Sequence, residues 1–233
     1  MPSSKDLKEL HVWGTDDASL GTHEVDGLSR SFLAKYIQTL EPGDAVLDIG
    51  CGEGKVLRLL QETKHRCLGI DLNEELVGAA RKAGLPAEQM DVMTALERYG
   101  NDYNVFCMLD FVEHIPIELL FQILTKIASK PGAKVWIQTP NLDSLIGIKF
   151  WFHMPSHVSP LHPFVLRGIL RRYNLDIVSE WTDYGAVPWT GIRRWITLKI
   201  LNALFGPPLT AMFLQGANIC LIGRVATGPQ VKP

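Results

Sequence analysis

The chain has 233 residues, of which 46% are hydrophobic and 21% are charged. These proportions exclude a disordered or low-complexity protein and predict one domain with a full hydrophobic core. The 23 basic and 25 acidic side chains give a net charge of −2, which argues against nucleic acid as a partner. Four widely separated cysteines indicate neither a disulfide framework nor a zinc site, so a cytoplasmic protein is expected.

Helices and strands alternate in the hydrophobic pattern. In chain order, the pattern and the turn residues predict helix 29–40, strand 45–49, helix 55–62, strand 66–70, helix 74–83, strand 105–109, helix 116–128, strand 133–139, helix 164–173, strand 175–181 and strand 217–225. Such alternation is typical of β-α-β units. It predicts an α/β fold, with a parallel sheet that is covered by helices on both faces.

The segment 46–56, VLDIGCGEGKV, runs from an apolar strand through three alternate glycines into a helix. The glycines let the chain turn tightly and let a ligand approach the backbone, and the amino end of the helix points to the same place. This G-x-G-x-G spacing differs from the G-x-G-x-x-G of nicotinamide and flavin binders. Asp48, two residues before the first glycine, would repel a pyrophosphate and would suit a ligand with an ammonium group.

Over about residues 32–225, the chain resembles the class I S-adenosylmethionine-dependent methyltransferases. The resemblance rests on five ordered elements: the glycine segment, Asp71 after the next strand, Met90-Asp91-Val92, the segment 106–116 (FCMLDFVEHIP) and the turn Lys130-Pro131-Gly132. It implies a Rossmann-like, seven-stranded, mostly parallel sheet whose last strand is antiparallel and follows a helical insert. It also implies an enzyme with S-adenosylmethionine as its cofactor.

The resemblance further implies which residues hold this cofactor. The glycine segment would wrap its methionine end, Asp71 would accept from both ribose hydroxyls, and Asp91 would accept from the adenine amino group. The residues expected to line the cofactor site are Asp48, Gly50, Cys51, Gly52, Gly54, Asp71, Leu72, Asp91, Val92, Leu109 and Asp110.

The whole chain, 1–233, is expected to form one methyltransferase domain with four parts. These are an N-terminal helical cap (1–40), the cofactor-binding core (41–140), an irregular acceptor-side segment rich in His, Pro, Phe and Trp (141–164) and a hydrophobic helical insert (183–216).

Candidate catalytic residues come from the acceptor-side segment. A neutral hydroxyl that attacks a methyl group must lose a proton, and histidine is the commonest general base. Residues 139–163 resemble a subgroup that acts on sugars and other hydroxylated acceptors, which makes His157 the first and His162 the second candidate. The alternative is that these histidines only hydrogen-bond loop carbonyls and hold the segment in place.

A metal is not part of the favoured interpretation. If Asp110 began a helical turn, Glu113 and His114 would lie near it, and the three side chains could hold a divalent ion. Ubiquinone-biosynthesis O-methyltransferases carry a similar Glu-x-x-Glu-His stretch that binds magnesium, but many relatives with the same Glu-His ending use no metal.

The predicted function is O-methylation of a small-molecule, saccharide or lipid-linked acceptor. A protein of the same fold that binds the cofactor without catalysis, as a regulatory or scaffold subunit, stays open as the alternative.

The hydrophobic insert is longer than the usual connection in a compact domain. Its section 189–215 begins with Trp and basic residues and then becomes almost wholly apolar. Three interpretations stay open: contact with a lipid-linked substrate or the inner membrane face, a flap over the acceptor pocket, and a homodimer interface. Residues 200–223 carry no charge, but Gly-Pro-Pro at 206–208 argues against a membrane span.

Overall fold

The computed structural model describes residues 27–183, 199–200, 202–204, 206, 212 and 215–227. The helices defined there are α1 (Gly27–Ile37), α2 (Lys55–Glu62), α3 (Glu74–Lys82), α4 (Val92–Tyr99), α5 (Ile117–Ala128), α6 (Leu145–His153) and α7 (Pro163–Arg172). The strands are β1 (Ala45–Ile49), β2 (Arg66–Asp71), β3 (Ala87–Gln89), β4 (Val105–Leu109), β5 (Lys134–Pro140), β6 (Leu175–Asp183) and β7 (Asn218–Val225). A 3-10 turn, Val112–His114, follows β4.

The strands form a seven-stranded sheet in the order β3-β2-β1-β4-β5-β7-β6. The pairs from β3 to β5 are parallel, whereas β7 is antiparallel to both β5 and β6. This confirms the expected Rossmann-like sheet with an antiparallel last strand. Because β2, β1 and β4 are neighbours and parallel, their carboxyl ends meet at one edge of the sheet, where such folds bind ligands.

Alternate residues of the central strands point to opposite faces of the sheet, and helices cover both faces. On one face, Phe106 of β4 belongs to a cluster with Leu96 of α4 and Ile123 of α5. On the other face, its neighbour Val105 belongs to a cluster with Tyr36 of α1. β1 and β5 are buried along their whole length, as expected for central strands with two covered faces.

Three elements of the structure were not predicted from the sequence. β3 has three residues, which is too short for a recognisable pattern, and α4 begins directly after its capping residue Asp91. The prediction that 141–164 is irregular is wrong for Leu145–His153, which form α6. The sequence of this helix, LIGIKFWFH, is apolar on nearly all sides and so lacks helical periodicity, although Ser144 caps its start through the amide of Gly147.

Most of the predicted insert 183–216, including most of its section 189–215, lies outside the described residues, as do residues 1–26 of the predicted cap. The interpretations of the insert therefore stay predictions. In the part of the chain that the structure describes, no helix combines the length and the apolar character that a membrane span requires.

At the opposite edge of the sheet, Lys134 anchors the start of β5. Its buried Nζ lies 2.8 Å from Oδ2 of Asp44 and donates to the carbonyl oxygen of Thr39 at 3.0 Å. Loss of one partner would leave a buried charge unpaired, so we expect Lys134→Ala to lower the free energy of unfolding by about 3 to 5 kcal/mol in urea denaturation. Lys126→Ala, which breaks an exposed pair with Glu97, should lower it by less than about 1 kcal/mol, and equal effects would contradict the assignment.

Candidate functional site

Glycines shape the turn that leads from β1 into α2. Gly50, Gly52 and Gly54 have φ values of 79°, 51° and 84°, in the left-handed region that favours glycine. A Cβ atom on Gly50 would lie 2.8 Å from Cδ2 of Phe111, so the turn packs directly against the chain that follows β4. Cys51 is buried within the turn, and burial raises the pKa of its thiol, which makes it an unreactive packing residue.

Asp71 lies beside this turn, at the end of β2. Its Oδ2 accepts from the amide of Gly52 at 3.0 Å, and its Oδ1 accepts from the amide of Asn73 at 2.8 Å. A carboxylate offers about four acceptor directions, so Asp71 can also accept from two ligand hydroxyls. The next residue, Leu72, has 58% of its surface exposed and offers an apolar contact to a ligand.

Asp48 is the buried acid of the site. It is 3% exposed, and its Oδ2 has no hydrogen-bond partner among the described residues. Burial raises the pKa of Asp48 to about 7, the charge of Asp71 adds to this shift, and a hydrogen bond from Cys107 opposes it. An unsatisfied buried oxygen is unfavourable unless a ligand completes it, so Asp48 fits a ligand with an ammonium group, such as S-adenosylmethionine.

Asp91 has a clear local role. It caps α4, accepting from the amide of Thr94 at 2.9 Å through Oδ1 and from the hydroxyl of Thr94 at 2.6 Å through Oδ2. Both oxygens are therefore engaged, although the side chain is exposed, and its contact with adenine stays a prediction. Val92, also expected at the cofactor site, is buried in the first turn of α4.

Leu109 ends β4, and Asp110 follows it at the carboxyl edge of the sheet, as expected for cofactor-lining residues. The 3-10 turn that comes next brings Glu113 and His114 beside His157 of the acceptor-side segment. Their ligating atoms lie within 4.8 Å of one another, and the two imidazole rings meet edge to face at 4.7 Å. Among the described residues, the three able to hold a metal are therefore Glu113, His114 and His157, whereas the sequence analysis considered Asp110 in place of His157.

Glu113 is almost completely buried, and its Oε2 has no hydrogen-bond partner among the described residues. Burial raises the pKa of this carboxyl group well above its ordinary value, and the charge of Asp110 adds to the effect. The carboxyl group of Glu113 therefore keeps its proton to a higher pH than an ordinary glutamate, and it does so next to the two histidines.

The tautomer of His157 follows from its contacts. Its Nδ1 lies 3.0 Å from the carbonyl oxygen of Trp151, which only accepts, so Nδ1 carries the proton and Nε2 is the acceptor. The ring also stacks on the Trp151 ring at 5.0 Å. Burial lowers the pKa of His157, so the ring is neutral near pH 7. A neutral imidazole with an accepting Nε2 is what a general base requires.

His162 differs from His157 in the contacts of its ring nitrogens and in its position. Its Nδ1 accepts from the amide of Phe164 at 3.2 Å, which caps α7, and its Nε2 lies 2.8 Å from Oδ1 of Asp143. Both ring nitrogens are engaged, and the structure does not bring His162 into the cluster of Glu113, His114 and His157. Helix capping accounts for this histidine.

The contacts that position the residues after His157 could not be predicted from the sequence. The amides of Val158 and Ser159 donate to the carbonyl oxygen of Glu113 at 2.9 Å and 3.1 Å. The hydroxyl of Ser159 donates to the carbonyl oxygen of Ile115 at 2.6 Å. These bonds join residues about forty positions apart, which a single sequence does not reveal.

We expect Asp71→Ala to weaken binding of S-adenosylmethionine by about 1.5 to 3 kcal/mol, because a charged acceptor is lost. Titration calorimetry measures the change. Asp91→Ala, at an exposed position, should weaken binding by no more than about 1 kcal/mol. Unchanged affinity of the Asp71 variant would show that this residue does not hold the ribose.

The raised pKa of Asp48 predicts a pH-dependent stability. In the folded protein Asp48 keeps its proton up to about pH 7, whereas in the unfolded chain it loses the proton near its ordinary pKa of about 3.9. The unfolded chain therefore binds fewer protons between these two pH values, and the free energy of unfolding falls as the pH rises through this range. Asp48→Asn should therefore stabilise the ligand-free protein at pH 8, by at most about 4 kcal/mol, and less at pH 5.

Urea denaturation at both pH values tests the Asp48 prediction. Asp102→Asn, at an exposed position, is the control and should change the free energy of unfolding by less than about 0.5 kcal/mol. A destabilised Asp48→Asn at pH 8 would mean that the carboxylate has a stabilising partner.

A family model described as a methyltransferase domain matches residues 22–180. The chain is also similar to a ubiquinone biosynthesis O-methyltransferase of Methylococcus capsulatus, with 27% identity over 180 residues that cover 71% of this chain and 75% of that protein.

Among solved structures, the fold is similar to that of a SAM-dependent methyltransferase from Archaeoglobus fulgidus, with a TM-score of 0.69 and 24% identity over 84% of this chain and 93% of that one. It is also similar to a magnesium protoporphyrin IX methyltransferase from Synechocystis with bound SAM, with a TM-score of 0.58 and 16% identity over 97% and 100% of the two chains. At such identities these structures show the fold alone. The family match spans more than half of the sequence and agrees with the glycine turn and its acids, so the chain belongs to the methyltransferase-domain family and is an S-adenosylmethionine-dependent methyltransferase of class I.

Proposed function

We propose that the protein transfers the methyl group of S-adenosylmethionine to a hydroxyl group of a small-molecule or saccharide acceptor, with His157 as the general base. The observation that carries the proposal is the neutral His157 ring, whose Nδ1 donates to Trp151 and whose Nε2 is left to accept a proton. The ubiquinone biosynthesis O-methyltransferase relative supports oxygen as the methylated atom.

The glycine turn, Asp48 and Asp71 would hold the cofactor, which when bound supplies an electrophilic methyl group. The acceptor hydroxyl would donate its proton to Nε2 of His157. The imidazolium that forms keeps its Nδ1 hydrogen bond to the carbonyl oxygen of Trp151. An oxygen atom of the Glu113 carboxyl group, whose pKa is raised by burial, lies close enough to the His157 ring to stabilise the new positive charge without transfer of a second proton.

Two exposed aromatic side chains indicate what kind of acceptor the protein would bind. Phe152 at the end of α6 and Phe164 at the start of α7 are 81% and 75% exposed, and both belong to the part of the chain that carries His157. Exposed aromatic side chains on the segments before and after His157 suit an acceptor that combines hydroxyl groups with an apolar part. A lipid-linked saccharide and a hydroxylated compound of ubiquinone biosynthesis both meet this description.

A metal-assisted reaction is the second candidate, favoured by the approach of Glu113, His114 and His157 within 4.8 Å. One carboxylate and two imidazoles could hold a divalent ion that orients the acceptor. Turnover with and without EDTA separates the two candidates, because a metal-free base is insensitive to chelation.

We expect His157→Ala to reduce turnover by at least about a hundredfold while the affinity for S-adenosylmethionine changes less than about twofold, because the base contacts the acceptor and not the cofactor. The measurement is formation of S-adenosylhomocysteine with a panel of hydroxylated acceptors.

The activity of the wild-type protein should fall only below about pH 6.5, because a protonated imidazole cannot act as a base and the pKa of His157 is lowered.

His162→Ala is the matched control. The same substitution at a helix cap should lower stability while leaving most of the turnover. Unchanged turnover of the His157 variant would remove it as the base, and a protein that binds the cofactor but methylates none of the acceptors would favour the regulatory alternative.

A further inference from the structure

Asp110 has an unusual backbone conformation for a residue with a side chain. Its φ of 51° lies in the left-handed region, which residues other than glycine rarely adopt. It follows β4 directly and precedes Phe111, the residue that packs against Gly50 of the glycine turn. Backbone strain at such a position persists only where surrounding contacts hold it.

Gln138 of β5 supplies those contacts. Its carbonyl oxygen accepts from the amide of Asp110 at 3.0 Å. Its side-chain Nε2 donates to both carboxylate oxygens of Asp110, at 2.7 Å and 2.8 Å. One residue thus fixes both the backbone and the side chain of Asp110.

The Gln138 amide is itself held in one orientation. The side chain is 6% exposed in a strand that is buried along its length, and its Oε1 lies 3.9 Å from the thiol of Cys220 on β7. Because a carboxylate only accepts hydrogen bonds, the amide nitrogen must face Asp110. Burial of an amide is unfavourable without such a partner.

The charged groups around Asp110 come from three elements. Asp183 of β6 and Glu113 of the 3-10 turn are acidic, and Lys55 at the start of α2 is basic. The pKa of Asp110 is raised by the protein atoms that enclose its carboxyl group and by Asp183, whereas the Gln138 bonds and Lys55 lower it. The residue is nevertheless exposed, so water weakens the effect of this enclosure on the pKa of Asp110.

We propose that Gln138 is a positioning residue that holds the Asp110 carboxylate at the cofactor cleft, where its charge favours S-adenosylmethionine over S-adenosylhomocysteine. The two ligands differ in the methyl group and in the positive charge of the sulfur, and a nearby carboxylate stabilises only the charged sulfur. Loss of that charge after methyl transfer would weaken the attraction and favour exchange of product for fresh cofactor. The inference concerns the cofactor alone and does not depend on the proposed acceptor or base.

Titration calorimetry with both ligands tests the proposal without an acceptor. In Asp110→Asn and in Gln138→Leu, the preference for S-adenosylmethionine, measured as the ratio of the two Kd values, should fall by about fivefold. The Kd for S-adenosylhomocysteine should change by less than about twofold. Equal weakening of both ligands, or an unchanged ratio in either variant, would overturn the proposal.

A double variant separates positioning from a general structural role. If Gln138 acts through Asp110, adding Gln138→Leu to Asp110→Asn should leave the ratio at the value of Asp110→Asn alone. A further fall in the ratio would overturn the proposal. Gln138→Met, which keeps the volume of the side chain, is the second variant if Gln138→Leu does not fold.

Asn104→Leu is the matched control, since the Nδ2 of Asn104 donates to Oδ1 of Asp44 at 2.7 Å, the same kind of bond at the opposite edge of the sheet. This variant should lose stability and keep the wild-type ratio of Kd values. A changed ratio in the control would assign the effect to stability and overturn the role of Gln138.

Discussion

The Asp71 carboxylate joins the two turns of the candidate cofactor site, because one oxygen accepts from Gly52 after β1 and the other from Asn73 after β2. The parallel order of β2, β1 and β4 brings these turns to one edge, and the left-handed glycines let the first turn fold back against the chain after β4. Without the two hydrogen bonds, the amides of both turns would need other acceptors. The Asp71 side chain therefore fixes the two turns relative to each other.

Two buried acids at the same edge lower the stability of the fold when they are ionised, but they can interact with a bound ligand. Asp48 and Glu113 each keep one oxygen without a hydrogen-bond partner among the described residues, and burial raises the pKa of both. Groups of this kind oppose folding when ionised, so their presence points to a ligand or a proton that completes them. The opposite edge shows the contrast, since buried Asp44 there is paired with Lys134.

Short-range signals made several elements of the first half of the chain predictable from the sequence, although not β3 or α4. The predicted bounds of β1, α2 and β4 agree with the structure, because glycines, prolines and apolar runs mark their ends within a few residues. α6 was missed because its sequence is apolar on nearly all sides, and β3 because it has three residues. The cofactor residues follow a local motif, whereas Gln138 and Asp110 are 28 positions apart, and only the pairing of β4 with β5 brings them together.

The short segment after β4 contacts both the glycine turn and the segment that carries His157. On the side of the glycine turn, Phe111 packs against Gly50, and on the side of the proposed base the carbonyl oxygen of Glu113 accepts from the amides of Val158 and Ser159. His157 is therefore positioned relative to the same short segment that positions the glycine turn. In-line transfer requires the acceptor and the methyl group to be held at a defined separation. A short segment that contacts both sides sets that separation more directly than contacts made through the rest of the sheet.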